Sequence, residues 1–469
     1  VGCGNDSSAS PAASSSDPAS SSSASTAGAG TSASGPGASA ASGSKASAGK
    51  PGGGTAGSGS SAGRTDPKEP LSDETDFVSA DSESGAPGRG NLATAEASTA
   101  AGAAATRAPV AANDAAKSGS PRTVERGDIY RVLGDQRILN LNSYRGVQIL
   151  DVSDVNQPRV EGRLPVAGDP VELYVVEDRA IVLLNNWQGY YGNRDDVKVE
   201  SVRGGLVLSV DIRDRAHPSI IAQTPVPGNI STSRLTQGGG QAALYVAATN
   251  YEGQQQAVVK SFDVSGGKLT PKSELNLGGY VQDIQATTDV LMVASNDYTK
   301  NQAGRSEVSV IDISSPDGSM VRGGSVLVQG LVQNKFNMDA YNGVLRVASG
   351  ANWSGALRNH LETFSLKDLQ KLAPIDDCIF GQRDPQSGQS EMLYATVFVE
   401  NRAFFVTYYR RDPFHAFSVD DAGKCQEHSQ FIVSGWNDFL RATLDDTRLI
   451  GIGHNDANNT RTLSVSLYD

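Results

Sequence analysis

The chain has 469 residues, 40 Lys+Arg against 52 Asp+Glu, a formal net charge of −12, and three cysteines. Residues 1–120 hold seven Lys+Arg and eleven Asp+Glu, so the remainder is acidic too. That balance argues against a nucleic-acid partner, whose footprint is a basic stripe. No run of about 18 apolar residues exists, so the sequence offers no membrane-spanning helix.

The first element in chain order is Val1-Gly2-Cys3-Gly4, which lacks an initiator Met. Small residues ahead of a Cys resemble the tail of a bacterial lipoprotein signal, in which that Cys is lipidated after cleavage. Cys3 is therefore the expected lipid anchor, and the expected location is extracytoplasmic, in a bacterial cell envelope. Residues 1–120 are dominated by Ser, Ala, Gly, Thr and Pro, and Phe77 is their one aromatic residue. So little apolar surface does not offset ordering entropy, and the segment is expected to be a disordered tether. A coil of about 115 residues spans roughly 60 Å, enough to hold a domain clear of a lipid surface.

Residues 121–469 have a different texture, short β-rich runs broken by Gly, Asn and Asp. One pattern recurs as GVQILDV from Gly146, LVLSVDI from Leu206, VVKSFDV from Val258 and VSVIDI from Val308. Weaker copies start at Leu361, His415 and Leu463. The matching positions Asp151, Asp211, Asp263, Asp312, Ser365, Ser418 and Asp469 step by roughly 49 to 60 residues, a period in the propeller range. Each period carries about four strand-like pieces, with tight turns such as Glu177-Asp178-Arg179 between the first two. The expected fold is all-β, a β-propeller of about seven four-stranded blades. The recurrent Asp is read as a cap on the turn into the fourth strand, because single carboxylates one blade apart do not converge on an ion.

Three stretches then carry a resemblance: KFNMDAYNGVLRVAS from Lys335, RAFFVTYYRRDPFHAFSVDD from Arg402, and RLIGIG with TLSVSLYD between Arg448 and Asp469. They are similar to a bacterial family of secreted proteins with a C-terminal β-propeller domain, and DVSDVNQP from Asp151 resembles repeats of the Leu-Val-Ile-Val-Asp type. The resemblance implies fold and extracytoplasmic location, and no catalytic residues. Family members continue past the point matching Asp469, so the last blade reads as truncated. The alternative is that a segment near Arg122–Arg126 closes the ring as its missing outer strand.

Chemistry is sparse. His217, His360, His415, His428 and His454 are scattered, with no metal-pair spacing. His415 lies in a strand pattern and reads as a core or surface residue; His454 is placed in a polar loop. No nucleophile elbow, phosphate loop or dinucleotide fingerprint is present. No enzyme activity, metal or cofactor is expected. Cys378 and Cys425 invite a disulfide in an oxidising compartment, but the strand reading places them at opposite ends of neighbouring blades, so the pairing stays open.

The loops joining second and third strands are long and polar: Asn185–Gly204, Asn250–Gln256, Ser295–Ser306, Gly350–Asn359 and Gly453–Arg461. Binding usually lives on long loops of a rigid scaffold. They carry Trp187, Tyr190, Tyr191, Tyr251, Tyr298 and Trp353, and with Asn185, Asn296, Asn352 and His454 these form the candidate binding set. Their aromatics are expected to be exposed. Asn142, Asn185, Asn250, Asn296, Asn352 and Asn455 each follow a second strand, either as turn residues bonded to their own backbone or as a ring of amides. The expected function is a tethered binding or scaffold propeller for an envelope protein or glycan. The alternative is a hydrolase or lyase with a site assembled in the central channel.

Overall fold

The computed structural model describes residues 122–193, 196–253, 255–297, 304–350, 358–408, 412–433, 436–443, 447–455 and 462–468, all within the unit Gly63–Asp469. Cys3 and the expected tether lie outside the described residues.

Seven antiparallel sheets follow one another along the chain, each a meander of consecutive strands. Sheet one is Tyr130–Leu133, Arg137–Asn142, Gly146–Asp151 and Arg159–Leu164; sheet two is Ala167–Val176, Arg179–Asn193, Gly205–Asp211 and Ser219–Val226. Asp196–Ser201 pairs with the far end of Arg179–Asn193. Sheet three is Asn229–Gly238, Gln241–Asn250, Gln256–Asp263 and Thr270–Gly278, and sheet four is Tyr280–Ala286, Val290–Asn296, Glu307–Asp312 and Val321–Leu327. Sheet five is Met338–Tyr341, Val344–Ser349, Asn359–Ser365 and Ala373–Phe380. Sheet six is Met392–Val399, Arg402–Tyr408, Asp412–Val419 and Cys425–Val433. Sheet seven holds Trp436–Ala442, Leu449–Asn455 and Thr462–Tyr468, three strands among the described residues.

Burial follows strand position. Val290–Asn296 and Val344–Ser349, both second strands, are buried throughout, because neighbouring sheets cover both their faces. Fourth strands such as Ser219–Val226 and Thr270–Gly278 alternate and stay largely exposed, as an outer rim does. Successive residues face opposite sides of a sheet. Leu173 thus enters the core between sheets one and two, and Tyr174 the core between two and three. Likewise Met292 packs toward sheet five and Leu291 toward sheet three. The acidic turn behaves as expected, with Glu177 at φ 52°. Gly228 and Gly279, at φ 77° and 74°, sit where a Cβ would fall 2.1 Å from Thr249 O and 2.3 Å from Asn296 O; only glycine fits there.

First strands line the inside. Ala167–Val176 touches Asn229–Gly238, which touches Tyr280–Ala286, and Met392–Val399 touches Trp436–Ala442. Thr123–Arg126 does not complete sheet seven. It pairs antiparallel with the inner edge of sheet three, from Thr123 opposite Gln237 to Arg126 opposite Arg234. The alternative in which this segment closes the ring as an outer strand is therefore corrected: it is an inner one. The free inner edge of Asn229–Gly238 supplies the hydrogen-bonding groups that an outer position on sheet seven would have offered.

The cysteine geometry is corrected as well. Cys378 and Cys425 are bridged, with S–S 2.01 Å and Cα–Cα 6.2 Å, joining the outer strands of sheets five and six. Sheet twist makes neighbouring outer strands cross instead of running level. The start of one then meets the middle of the other, and Cys425 N donates to Asp376 Oδ2 at 3.2 Å.

Candidate functional site

The ring interior is the first place to look for a site. The first strands bring Glu172 and Tyr174 from sheet two, Thr232, Ser233 and Arg234 from sheet three, and Asp283 from sheet four. Arg234 is fully buried. It donates to Thr232 Oγ1 at 3.1 Å, to Ser233 O at 2.6 Å and to Ile284 O, and lies 3.7 Å from Asp283. Glu172 accepts from Thr232 at 3.1 Å and from Ser233, whose hydroxyl also meets Tyr174 at 2.9 Å. Burial pushes the Glu172 carboxyl up and the Tyr174 phenol well up, with Arg234 opposing both.

The inner strand reaches several sheets. Arg122, just ahead of it, donates to Thr288 O at 2.6 Å, Ser314 O at 2.9 Å and Asp289 at 2.9 Å, in the turns at one end of sheet four. Glu125 pairs with Arg131 of sheet one at 3.0 Å, and Arg126 lies 5.1 Å over the Phe336 ring ahead of sheet five. Burial brings the Arg126 guanidinium down to about 10, Arg234 pushes the same way, and Asp283 opposes. The carboxylates that converge here are each held by a cation or a hydroxyl, with the chain itself lying among them.

The recurrent Asp residues do what capping requires. Ser153 N, Arg213 N, Ser265 N and Ser314 N donate to Asp151, Asp211, Asp263 and Asp312 at 2.9, 3.0, 3.0 and 2.8 Å. Ser365 takes the same place, accepting from Lys367 N at 3.3 Å. Hydrogen bonds from Ser153 and Arg159 hold the Asp151 carboxyl far below the carboxylate range, and Arg213 holds Asp211 at about 2. Asp376 approaches Cys378 and Cys425 closely enough to suggest metal ligands. The bridge removes both thiolates such a site would need.

The candidate binding residues separate into several groups. Tyr251, in the loop between Gln241–Asn250 and Gln256–Asp263, is 63% exposed. Trp187 is not exposed as expected. At 3% it belongs to the core between sheets one and two, because the second strand runs past Asn185 to Asn193. The expected loop Asn185–Gly204 is instead a two-stranded arm, with Tyr190 opposite Val199 and Tyr191 opposite Lys198. His454 lies on the strand Leu449–Asn455, opposite Leu463, and not in a loop. Tyr298, Asn352 and Trp353 lie outside the described residues.

The amides divide similarly. Asn142 and Asn250 accept from backbone N–H groups two residues on, at 2.9 Å each, as turn residues do. Asn185 clasps Ile230 of sheet three in both directions, at 2.8 and 2.9 Å. Asn296 is buried against Tyr280, Gln282 and Ser306. These two stitch the loop ends together and do not project from them.

Comparison with known proteins decides the family. The Beta propeller domain family matches residues 122–257 and 240–469. The chain belongs to this β-propeller family. An uncharacterised protein of Archaeoglobus fulgidus is 27% identical over 142 residues, covering 30% of this chain and 20% of that protein. The chain thus spans a fifth of this relative's length. Among solved structures, a functionally unknown protein from Desulfotomaculum acetoxidans aligns over 73% of this chain and 92% of its own, at 12% identity and TM-score 0.39. A putative 6-phosphogluconolactonase from Bacteroides fragilis aligns over 74% and 98%, at 9% identity and TM-score 0.34. The periplasmic gluconolactonase of Pseudomonas aeruginosa aligns over 74% and 99%, at 11% identity and TM-score 0.33.

Proposed function

We propose that this propeller is an extracytoplasmic, surface-tethered binding or scaffold module that engages an envelope protein or glycan through the face carrying its strand two–three loops. The observation that carries this reading is the inner strand. Thr123–Arg126 lies along the inner edge of sheet three, in the space where a channel-borne hydrolase or lyase would hold substrate. With a strand in that space, this reading assigns contact to the rim, where Tyr251 stands exposed. Exposed aromatics beside polar loops suit protein and carbohydrate contacts. The Cys378–Cys425 bridge supports an oxidising compartment. Lipidation of Cys3 is the anchor this reading assigns, and Cys3→Ala is expected to move the protein from membrane to soluble fractions.

The deciding experiment pairs capture with turnover. Purified protein is presented with envelope proteins and a polysaccharide panel, and separately with ester, lactone and glycoside substrates. Capture without turnover is expected. Turnover that Glu172→Gln abolishes and Tyr251→Ala spares would replace the binding reading with the hydrolytic one.

A further inference from the structure

A second buried polar chain lies in sheet six, away from the ring interior. It runs from Glu391, in the linker ahead of the sheet, through Thr407 and His415 on its second and third strands to Glu427 on its fourth. Thr407 Oγ1 is 2.8 Å from Glu391 Oε2 and 3.1 Å from His415 Nε2. His415 Nδ1 is 2.7 Å from Glu427 Oε1. Glu391, Thr407 and His415 are 6%, 0% and 1% exposed, while Glu427 reaches the surface.

Three contacts join these four groups, and each needs a proton between its two heavy atoms. Two ionised carboxylates with a neutral imidazole supply only two protons, the Thr407 hydroxyl and one ring N–H. The third sits on the second ring nitrogen or on either carboxyl group; these placements differ in position and agree in number. The surroundings bring the following groups. Sheet five presents the Phe380 ring edge-on to His415, 5.4 Å away. Its carboxylates are engaged elsewhere, Asp339 with Arg346, Glu362 with Gln329 N and Ser349, Asp376 with Cys425 N, and Asp377 with His360. On sheet six, His428 is bonded to Ser418.

We propose that Glu391, Thr407, His415 and Glu427 form a proton-holding chain that makes the linker between sheets five and six sensitive to pH. Glu391 ties that linker at several points. Its carboxylate accepts from Gln382 N at 2.9 Å, its N–H donates to Gln382 O at 3.0 Å, and its carbonyl accepts from Asn359 Nδ2 at 2.9 Å. When the third proton leaves with Thr407 donating to His415 and His415 to Glu427, the buried Glu391–Thr407 contact is left with two acceptors facing each other, and the tie loosens. The folded chain then binds more protons than the unfolded one, so the contribution falls as pH rises. The linker connects two sheets at the end that also carries the strand two–three loops. The proton count stands whatever that face binds.

The test follows the His415 ring nitrogens and the Glu391 and Glu427 carboxyl carbons by NMR in the intact chain from about pH 5 to 8. Amide exchange of residues 382–391, corrected for intrinsic rates, is measured alongside. A third proton at low pH is expected, and its loss should accompany a roughly tenfold fall in linker protection. Glu391→Gln removes the ionisable carboxyl; because Thr407 and Gln382 N meet the same side-chain oxygen, its protection should lie below wild type at acid pH and stay level across the range. A neutral His415 with both carboxyls ionised at the acid end, or a step of equal size in Glu391→Gln, overturns the proposal. Should that variant not fold, the wild-type titration alone decides.

Discussion

Arg126 and Arg234 stand directly opposite each other on paired strands inside the ring. Like charges in that register repel, so the pair persists through the anions around it. Asp283 lies 3.7 Å from Arg234 and also accepts from Lys335 N at 2.8 Å. Asp283→Asn should therefore cost about 3 kcal/mol in urea unfolding, the scale of an uncompensated buried charge. Arg126→Met, which removes the repulsion and keeps the packing, should cost much less. Equal effects from the two would mean that the guanidiniums are not in electrostatic contact.

The ionisable groups predict opposite pH behaviour at two sites. Burial raises Glu172, so its contribution is complete below the unfolded value of about 4.3 and is lost as pH rises through the raised one. Asp211 is lowered to about 2 by Arg213, so its contribution is present above the unfolded value of about 3.9 and is lost as pH falls toward 2. Relative to wild type, Glu172→Gln should gain stability as pH rises above about 5, and Asp211→Asn should lose stability at neutral pH and recover in strong acid. Urea midpoints measured across pH check both signs.

The bridge between outer strands joins positions 47 residues apart. Closing a loop of that size in the unfolded chain is worth roughly 2–4 kcal/mol. Cys378→Ser and Cys425→Ser should each lose that amount, and the double variant no more than either single one. Alkylation under non-reducing conditions should leave both wild-type sulfurs unlabelled.

What the sequence disclosed was local. Asp151, Asp211, Asp263 and Asp312 accept N–H groups two residues away, so their role and their period are both visible along the chain. The seven-fold meander follows from the same short-range pattern. Thr123–Arg126 is different: its partners lie more than a hundred residues away, and four residues carry no mark that selects an inner edge over an outer one. The Cys378–Cys425 bridge depends on how twist tilts two outer strands, which strand spacing alone does not encode. His415 is legible as a strand residue, but its partners sit on two other strands. Its chain appears only once those strands are in register.

The same limit separates two aromatics that look alike in sequence. Trp187 and Tyr251 both follow a second-strand Asn, yet one is 3% and the other 63% exposed. Trp187 fills the core between sheets one and two, and its Nε1 has no hydrogen-bond partner among the described residues. Trp187→Ala should cost about 3–5 kcal/mol through the cavity it leaves. Trp187→Phe should cost clearly less, since it keeps the ring contacts and removes a buried donor without a partner. Tyr251→Ala should change stability by no more than about 0.5 kcal/mol. If the loop face carries recognition, Tyr251→Ala should nevertheless weaken capture more than tenfold, the effect of losing a contact worth roughly 2 kcal/mol. Trp187→Phe, with its loop arm still supported, should capture normally. Undiminished capture by folded Tyr251→Ala would move recognition off this loop, whatever the stability of the Trp187 variants.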